Sequence, residues 1–232
     1  MSFSNAGEIS AEAPLAPELP ICDPHHHLWV RSSKNYLLDD LLNDLDSGHN
    51  IVSTVAIECG YGYRDDGPKE LKSVGETEFL ETIASEAAFR PNVKTRIAEA
   101  IVGFADLALG DAVAPILEAH ITASPNRFRG IRRSATWDAS GALRNEAAPG
   151  LLADCKFREG FAWLKKFNLS FDAWLYHPQL SELVDLARAF PNVTIILDHI
   201  GAPLVPMPAS AMKYFEFGVR ESRRSRHART LS

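Results

Sequence analysis

A chain of 232 residues with 46% hydrophobic, 23% charged and 9% aromatic side chains is too apolar for disorder, and it shows no collagen-like or coiled-coil period. No apolar stretch reaches the roughly 20 residues of a bilayer span, and a net charge of −6 argues against a nucleic-acid binder, which presents a basic face. Three widely spaced cysteines, Cys22, Cys59 and Cys155, form no disulfide framework and point to a reducing, cytoplasmic compartment, with neither membrane nor nucleic acid as partner.

Residues 1–20 are rich in Ala, Pro, Ser and Glu and lack the marks of a signal or transit peptide. They read as a flexible leader. From Ile21 onward, short apolar runs bounded by Gly, Pro, Asn or Asp predict strands at 21–23, 52–58, 98–102, 128–132, 170–175 and 193–198. Between them, apolar residues recur with helical spacing over 76–89, 112–121, 154–167 and 180–190. Strand and helix in alternation predict an α/β fold with a parallel sheet. At about 35 residues per unit, a complete (β/α)8 barrel needs about 280 residues, against a typical 250. Six units fit before Pro203, so 21–203 is the expected barrel domain.

After Pro203 the character changes. Residues 204–232 hold six of the 24 Lys and Arg but only two acids, Glu216 and Glu221. This reads as a basic, disordered or non-native tail. Contact with an anionic partner is the sharper alternative, though no aromatic residues interleave the arginines as single-strand binding favours.

The strongest local signal is Asp23-Pro24-His25-His26-His27-Leu28-Trp29, at the end of the first strand. Side chains at i and i+2 share one face of an extended segment, so His25 and His27 aim into one pocket and His26 away from it. Two imidazoles so placed suit a divalent metal, with Zn2+ ahead of Mn2+. His177 and His199 follow two later strands, and histidines ending three strands of one sheet converge as a barrel-top site requires. Arg132 and Arg133 end the fourth strand, where either can clamp a carboxylate through paired N–H groups. Glu58 ends the second strand as a buried acid near the metal. Trp29, Tyr61, Trp137 and Tyr176 are candidates for an apolar wall around a ring.

Five motifs make the resemblance specific: 23–29, Glu58-Cys59-Gly60, Phe128-Arg129-Gly130-Ile131-Arg132, Tyr176-His177-Pro178-Gln179-Leu180 and Leu197-Asp198-His199-Ile200-Gly201. In order and over about 20–203, they resemble the amidohydrolase-related family. These are TIM-barrel, metal-dependent hydrolases that include lactone hydrolases and the aminocarboxymuconate-semialdehyde decarboxylase type. The resemblance implies a (β/α)8 barrel with His25, His27 and His177 on the metal and His199, the expected catalytic residue, as a second-site or acid/base group. Arg132 matches the family's arginine, and Arg132, Trp29, Glu58 and Tyr176 are the expected substrate contacts.

The family's barrel runs on through strands seven and eight, the eighth supplying a metal-binding aspartate. Nothing after Leu204 resembles either strand, and no aspartate follows Asp198. The expected fold is therefore a (β/α)8 type truncated after about six strand–helix units, with activity in doubt on that account. The expected function is hydrolysis of a lactone in a small carboxylated substrate. Decarboxylation of a conjugated acid on the same site and an inactive remnant stay open, as do metal-independent action and assembly into a homo-oligomer.

Overall fold

The computed structural model describes residues 13–32 and 34–202. The predicted tail, 204–232, and the first twelve residues of the predicted leader lie outside the described residues.

The elements run β1 (Pro20–His26), β2 (Trp29–Val30), β3 (Asn35–Tyr36), α1 (Leu38–Leu45), β4 (Asn50–Ile57), α2 (Val74–Phe89), β5 (Arg96–Gly103), α3 (Ala114–Ala123), β6 (Phe128–Ser134), α4 (Cys155–Phe167), β7 (Ser170–Trp174), α5 (Leu180–Ala189) and β8 (Ile195–Leu197). Six strands form one parallel sheet in the order β1-β4-β5-β6-β7-β8, and β2 and β3 form a separate antiparallel hairpin. With its helices, the sheet makes an open, half-closed barrel, consistent with a (β/α)8 barrel cut after six units.

The strand count corrects one expectation. Strands seven and eight were expected to be missing, yet among the described residues eight strands are present, six in the parallel sheet and two in the hairpin, with β7 and β8 among them. The two-residue strands β2 and β3 are too short to show alternation. Absence of strands is therefore no ground for doubting activity, and the donors assembled below lie on or just after the strands present.

Sequence explains the local structure. In α4, Phe157, Phe161 and Leu164 repeat at helical spacing and are fully buried. Asp154 caps its start by accepting the Phe157 N–H at 2.9 Å, and Asn168 ends it with φ 55°, a left-handed conformation that asparagine tolerates. Phe157 and Phe161 meet Phe171 of β7 edge to face, at ring separations of 6.0 and 5.2 Å, within the favourable range for aromatic pairs. Gly160 is required between them, because a Cβ there would overlap the carbonyl of Leu107.

Strand registers decide the sheet's shape. The β1–β4, β4–β5 and β5–β6 pairs all carry register shifts, and such bulges bend a sheet. At one of them Ala98 has φ 47°, held by its N–H on Thr54 Oγ1 at 2.9 Å. The β6–β7 and β7–β8 ladders are regular, so Arg132 stands directly beside Asp172, and Asp172 beside Ile196.

Candidate metal centre

A flat six-strand sheet would hold its edge strands roughly 24 Å apart. Here β1 and β8 are those edges, yet the His25 and His199 rings lie 4.8 Å apart. The bend has brought both edges together at the ends where the parallel strands finish, the face on which such folds place their chemistry.

His25 and His27 turn to one side, with their Nε2 atoms 3.2 Å apart. His26 turns the other way and meets Thr54 Oγ1 at 2.9 Å through Nε2. His27 Nδ1 sits 2.9 Å from the carbonyl of Ile57. A carbonyl only accepts, so Nδ1 carries the proton and the Nε2 lone pair faces the site. Burial lowers the pKa of both residues, His25 to about 4 with His27 adding to the effect. Both are therefore neutral near pH 7, the form that binds metal.

The opposite edge supplies Asp198 and His199. His25, Asp198 and His199 offer ligand atoms all within 4.8 Å of one another, and Asp198 Oδ1 is 4.0 Å from His25 Nδ1. Imidazole nitrogens beside a carboxylate oxygen suit Zn2+ and related divalent ions. The residues present fit such an ion. His199 sits in a short turn after β8 at φ 49°, followed by Ile200 at 58°.

Behind the donors lies a charge network. Arg132 on β6 donates from Nε to Asp198 Oδ2 at 2.8 Å and from Nη1 to Glu58 Oε1 at 3.3 Å. Its guanidinium also lies 5.7 Å from the Trp174 ring, and Trp174 meets the His199 ring edge-on at 4.9 Å. Glu58 has its pKa pushed up to about 7, by burial first and by nearby Glu76 second, with Arg132 opposing. A carboxyl titrating near neutrality can give or take a proton under physiological conditions.

Other predicted residues make contacts of their own or fall outside the three-residue donor group. His177 opens the short turn His177–Gln179 after β7 and is not part of the three-residue donor group. Tyr176 donates its hydroxyl to the carbonyl of Arg144 at 2.8 Å. Trp29 stacks on Tyr36 across the β2–β3 hairpin at 5.3 Å, with the Arg31 guanidinium 4.9 Å from its ring. Arg133 turns from Arg132 to Asp106, at 3.5 Å. Conversely, sequence reasoning passed over Asp198, Trp174 and Asp172. Asp198 adjoins a singled-out histidine, which is the signal that would find it.

The family model for amidohydrolases matches residues 22–229. The chain is 32% identical over 206 residues to uncharacterized protein y4mH of Sinorhizobium fredii, covering 79% of this chain and 63% of that protein. It is 26% identical over 186 residues to L-fucono-1,5-lactonase of Burkholderia ambifaria, covering 78% and 57%. The chain thus spans about three fifths of the length of these curated relatives. In fold it is similar to a crystal structure of a Burkholderia multivorans amidohydrolase with bound Zn, with TM-score 0.56, 22% identity, and 78% and 58% of the two chains covered. The same amidohydrolase with bound HEPES gives TM-score 0.54 at 21% identity, covering 78% and 57%. Agreement over nearly the whole chain, on the strands whose ends carry the histidines, shows that this protein belongs to the amidohydrolase family.

Proposed function

We propose that this chain is a metal-dependent hydrolase that opens a lactone or similar ester-like bond in a small carboxylated molecule. The observation that carries the proposal is the meeting of His25, Asp198 and His199 from opposite sheet edges, with the His27 lone pair facing the same space. The likeness to L-fucono-1,5-lactonase supports the choice of a lactone among hydrolysable bonds.

His25, His27, His199 and Asp198 would hold a divalent ion, Zn2+ for preference, and His177 is the further ligand to test. When bound, such an ion supplies a Lewis acid and activates water at neutral pH. The protein's own groups do the rest. Arg132 has N–H groups on Nη2 beyond those spent on Glu58 and Asp198, and these would orient a substrate carboxylate. Glu58, titrating near 7, would exchange a proton with the opening ring.

The test is metal analysis of the purified chain beside a His25→Ala/His177→Ala variant, followed by a panel of sugar and aryl lactones. About one ion per chain, lost in the variant, together with ring opening by the metal-loaded chain, is the expected result. Absence of both metal and ring opening overturns the proposal. Release of CO2 from a conjugated acid in place of ring opening assigns the site to decarboxylation.

A further inference from the structure

Glu76 belongs to none of the groups above, yet it anchors the segment that carries Glu58. It lies in the first turn of α2 and is 3% exposed. Its Oε1 accepts the N–H of Cys59 at 2.8 Å and of Tyr61 at 3.2 Å, and its Oε2 accepts the N–H of Gly60 at 3.2 Å. Three successive amides converging on one carboxylate form an anion cradle, filled here from within the protein. The chain must turn to aim them, and it does so at Gly60, φ 78°, a conformation open to glycine.

One residue upstream, the Glu58 N–H reaches the carbonyl of Val102 at 2.8 Å. Glu58 is thus held on one side by the β5 strand and on the other by a loop tied down at Glu76. Its carboxylate meets Arg132, with Oε1 3.3 Å from Nη1. That contact matters for the metal centre, because Arg132 also bonds Asp198. A guanidinium shared by two ionised carboxylates leaves the trio with net negative charge, which favours a cation nearby. Bonded to Asp198 alone, the pair is neutral, and the negative charge that Glu58 adds to attract a cation is lost.

We propose that Glu76 is a positioning residue of the metal centre: by holding the amides of Cys59, Gly60 and Tyr61 it keeps Glu58 on Arg132 and so sustains the site's affinity for a divalent ion. The consequence for the ion rests on the metal-hydrolase reading; the loop's anchoring does not.

The experiment compares wild type with Glu76→Gln, Glu58→Gln and the double variant, by amide hydrogen exchange and by Zn2+ titration. Gln keeps the size of Glu76 but removes its charge and sets an NH2 against the loop's own donors. Exchange at Gly60 and Tyr61 is expected to accelerate by about tenfold or more, the worth of a charge-assisted hydrogen bond. Zn2+ affinity is expected to fall by about tenfold in each single variant and no further in the double than in Glu58→Gln, because both act through one contact. Losses that multiply in the double variant, or amides that exchange as in wild type, overturn the proposal.

If wild type takes up no Zn2+, the metal reading fails separately, and the positioning is decided on the metal-free chain. There amide exchange at Gly60 and Tyr61 is expected to accelerate in Glu76→Gln as it does in the metal-loaded chain, because the loop is anchored on Glu76 with or without an ion. Exchange unchanged from wild type counts against the proposal. Should Glu76→Gln not fold, Glu76→Asp is put through the same measurements with the same expectations.

Discussion

Arg132 donates to Asp198 at 2.8 Å across an intervening strand, since β7 lies between β6 and β8 in the sheet. The Asp198 side chain is 1% exposed and that of Arg132 12%. Two charges so placed have lost most of their hydration and depend on each other. Arg132→Ala is expected to cost about 3–5 kcal/mol, the range for uncovering a buried charge, measured by urea denaturation. Adding Asp198→Asn to that variant should restore part of the loss, because the stranded charge is then gone. A double variant no more stable than Arg132→Ala would contradict this account.

Asp172, beside Arg132 in the β6–β7 register, is buried and its Oδ1 has no hydrogen-bond partner. Burial, with the charge of Asp198 second, raises its pKa to about 7. A carboxyl raised in the folded state stabilises the fold fully below its ordinary value of 3.8, and that contribution is lost as pH climbs through about 7. Asp172→Asn cannot ionise. It is therefore expected to match wild type near pH 4 and to exceed it at pH 8, by on the order of 1–3 kcal/mol. Equal margins at both pH values would show that Asp172 stays in one protonation state.

Gly160 tests the packing of α4. Alanine there would drive its Cβ into the Leu107 carbonyl, and backbone cannot rotate aside as a long side chain can. The expected loss is about 1–3 kcal/mol, read as a lower urea midpoint. Full stability in Gly160→Ala would mean that the 107–113 turn shifts freely.

Ile200 makes the opposite prediction. It combines φ 58° with 80% exposure. A β-branched residue in that conformation costs about 1–2 kcal/mol and here recovers little by burial. Ile200→Gly is expected to stabilise the metal-free chain by about 1 kcal/mol. Destabilisation would reveal that something covers this side chain in solution.

Much of this architecture is written in local pattern. The strand signals at 52–58, 98–102, 128–132 and 170–175 fall on β4, β5, β6 and β7 within a few residues, because fully buried parallel strands are dense in β-branched and aromatic residues. Helix α1 was missed although Leu38, Leu41, Leu42 and Leu45 carry its period. The β2–β3 hairpin has no such trace, since two residues have no period. His25 and His27 share a face by strand geometry alone. The partnership of Arg132 with Asp198 and Glu58 is different in kind. It depends on how far the sheet bends, which is set by register shifts between strands distant in sequence, and nothing local encodes them. Glu76 was legible only as part of a helix, because its partners are backbone amides that every residue has.

The convergence of β1 and β8 has a mechanical consequence. His25 and His199 stand near the two ends of the described chain, on and just after the strands that form the edges of the sheet among the described residues. An ion gripped by both would fasten one edge to the other like a clasp, closing a loop through nearly the whole barrel. Long loops lose much freedom when closed, so the clasp would act on the unfolded ensemble as a cross-link does. Such an ion would rank among the last contacts made in folding and the first lost in unfolding, and its release would report on the integrity of the entire sheet.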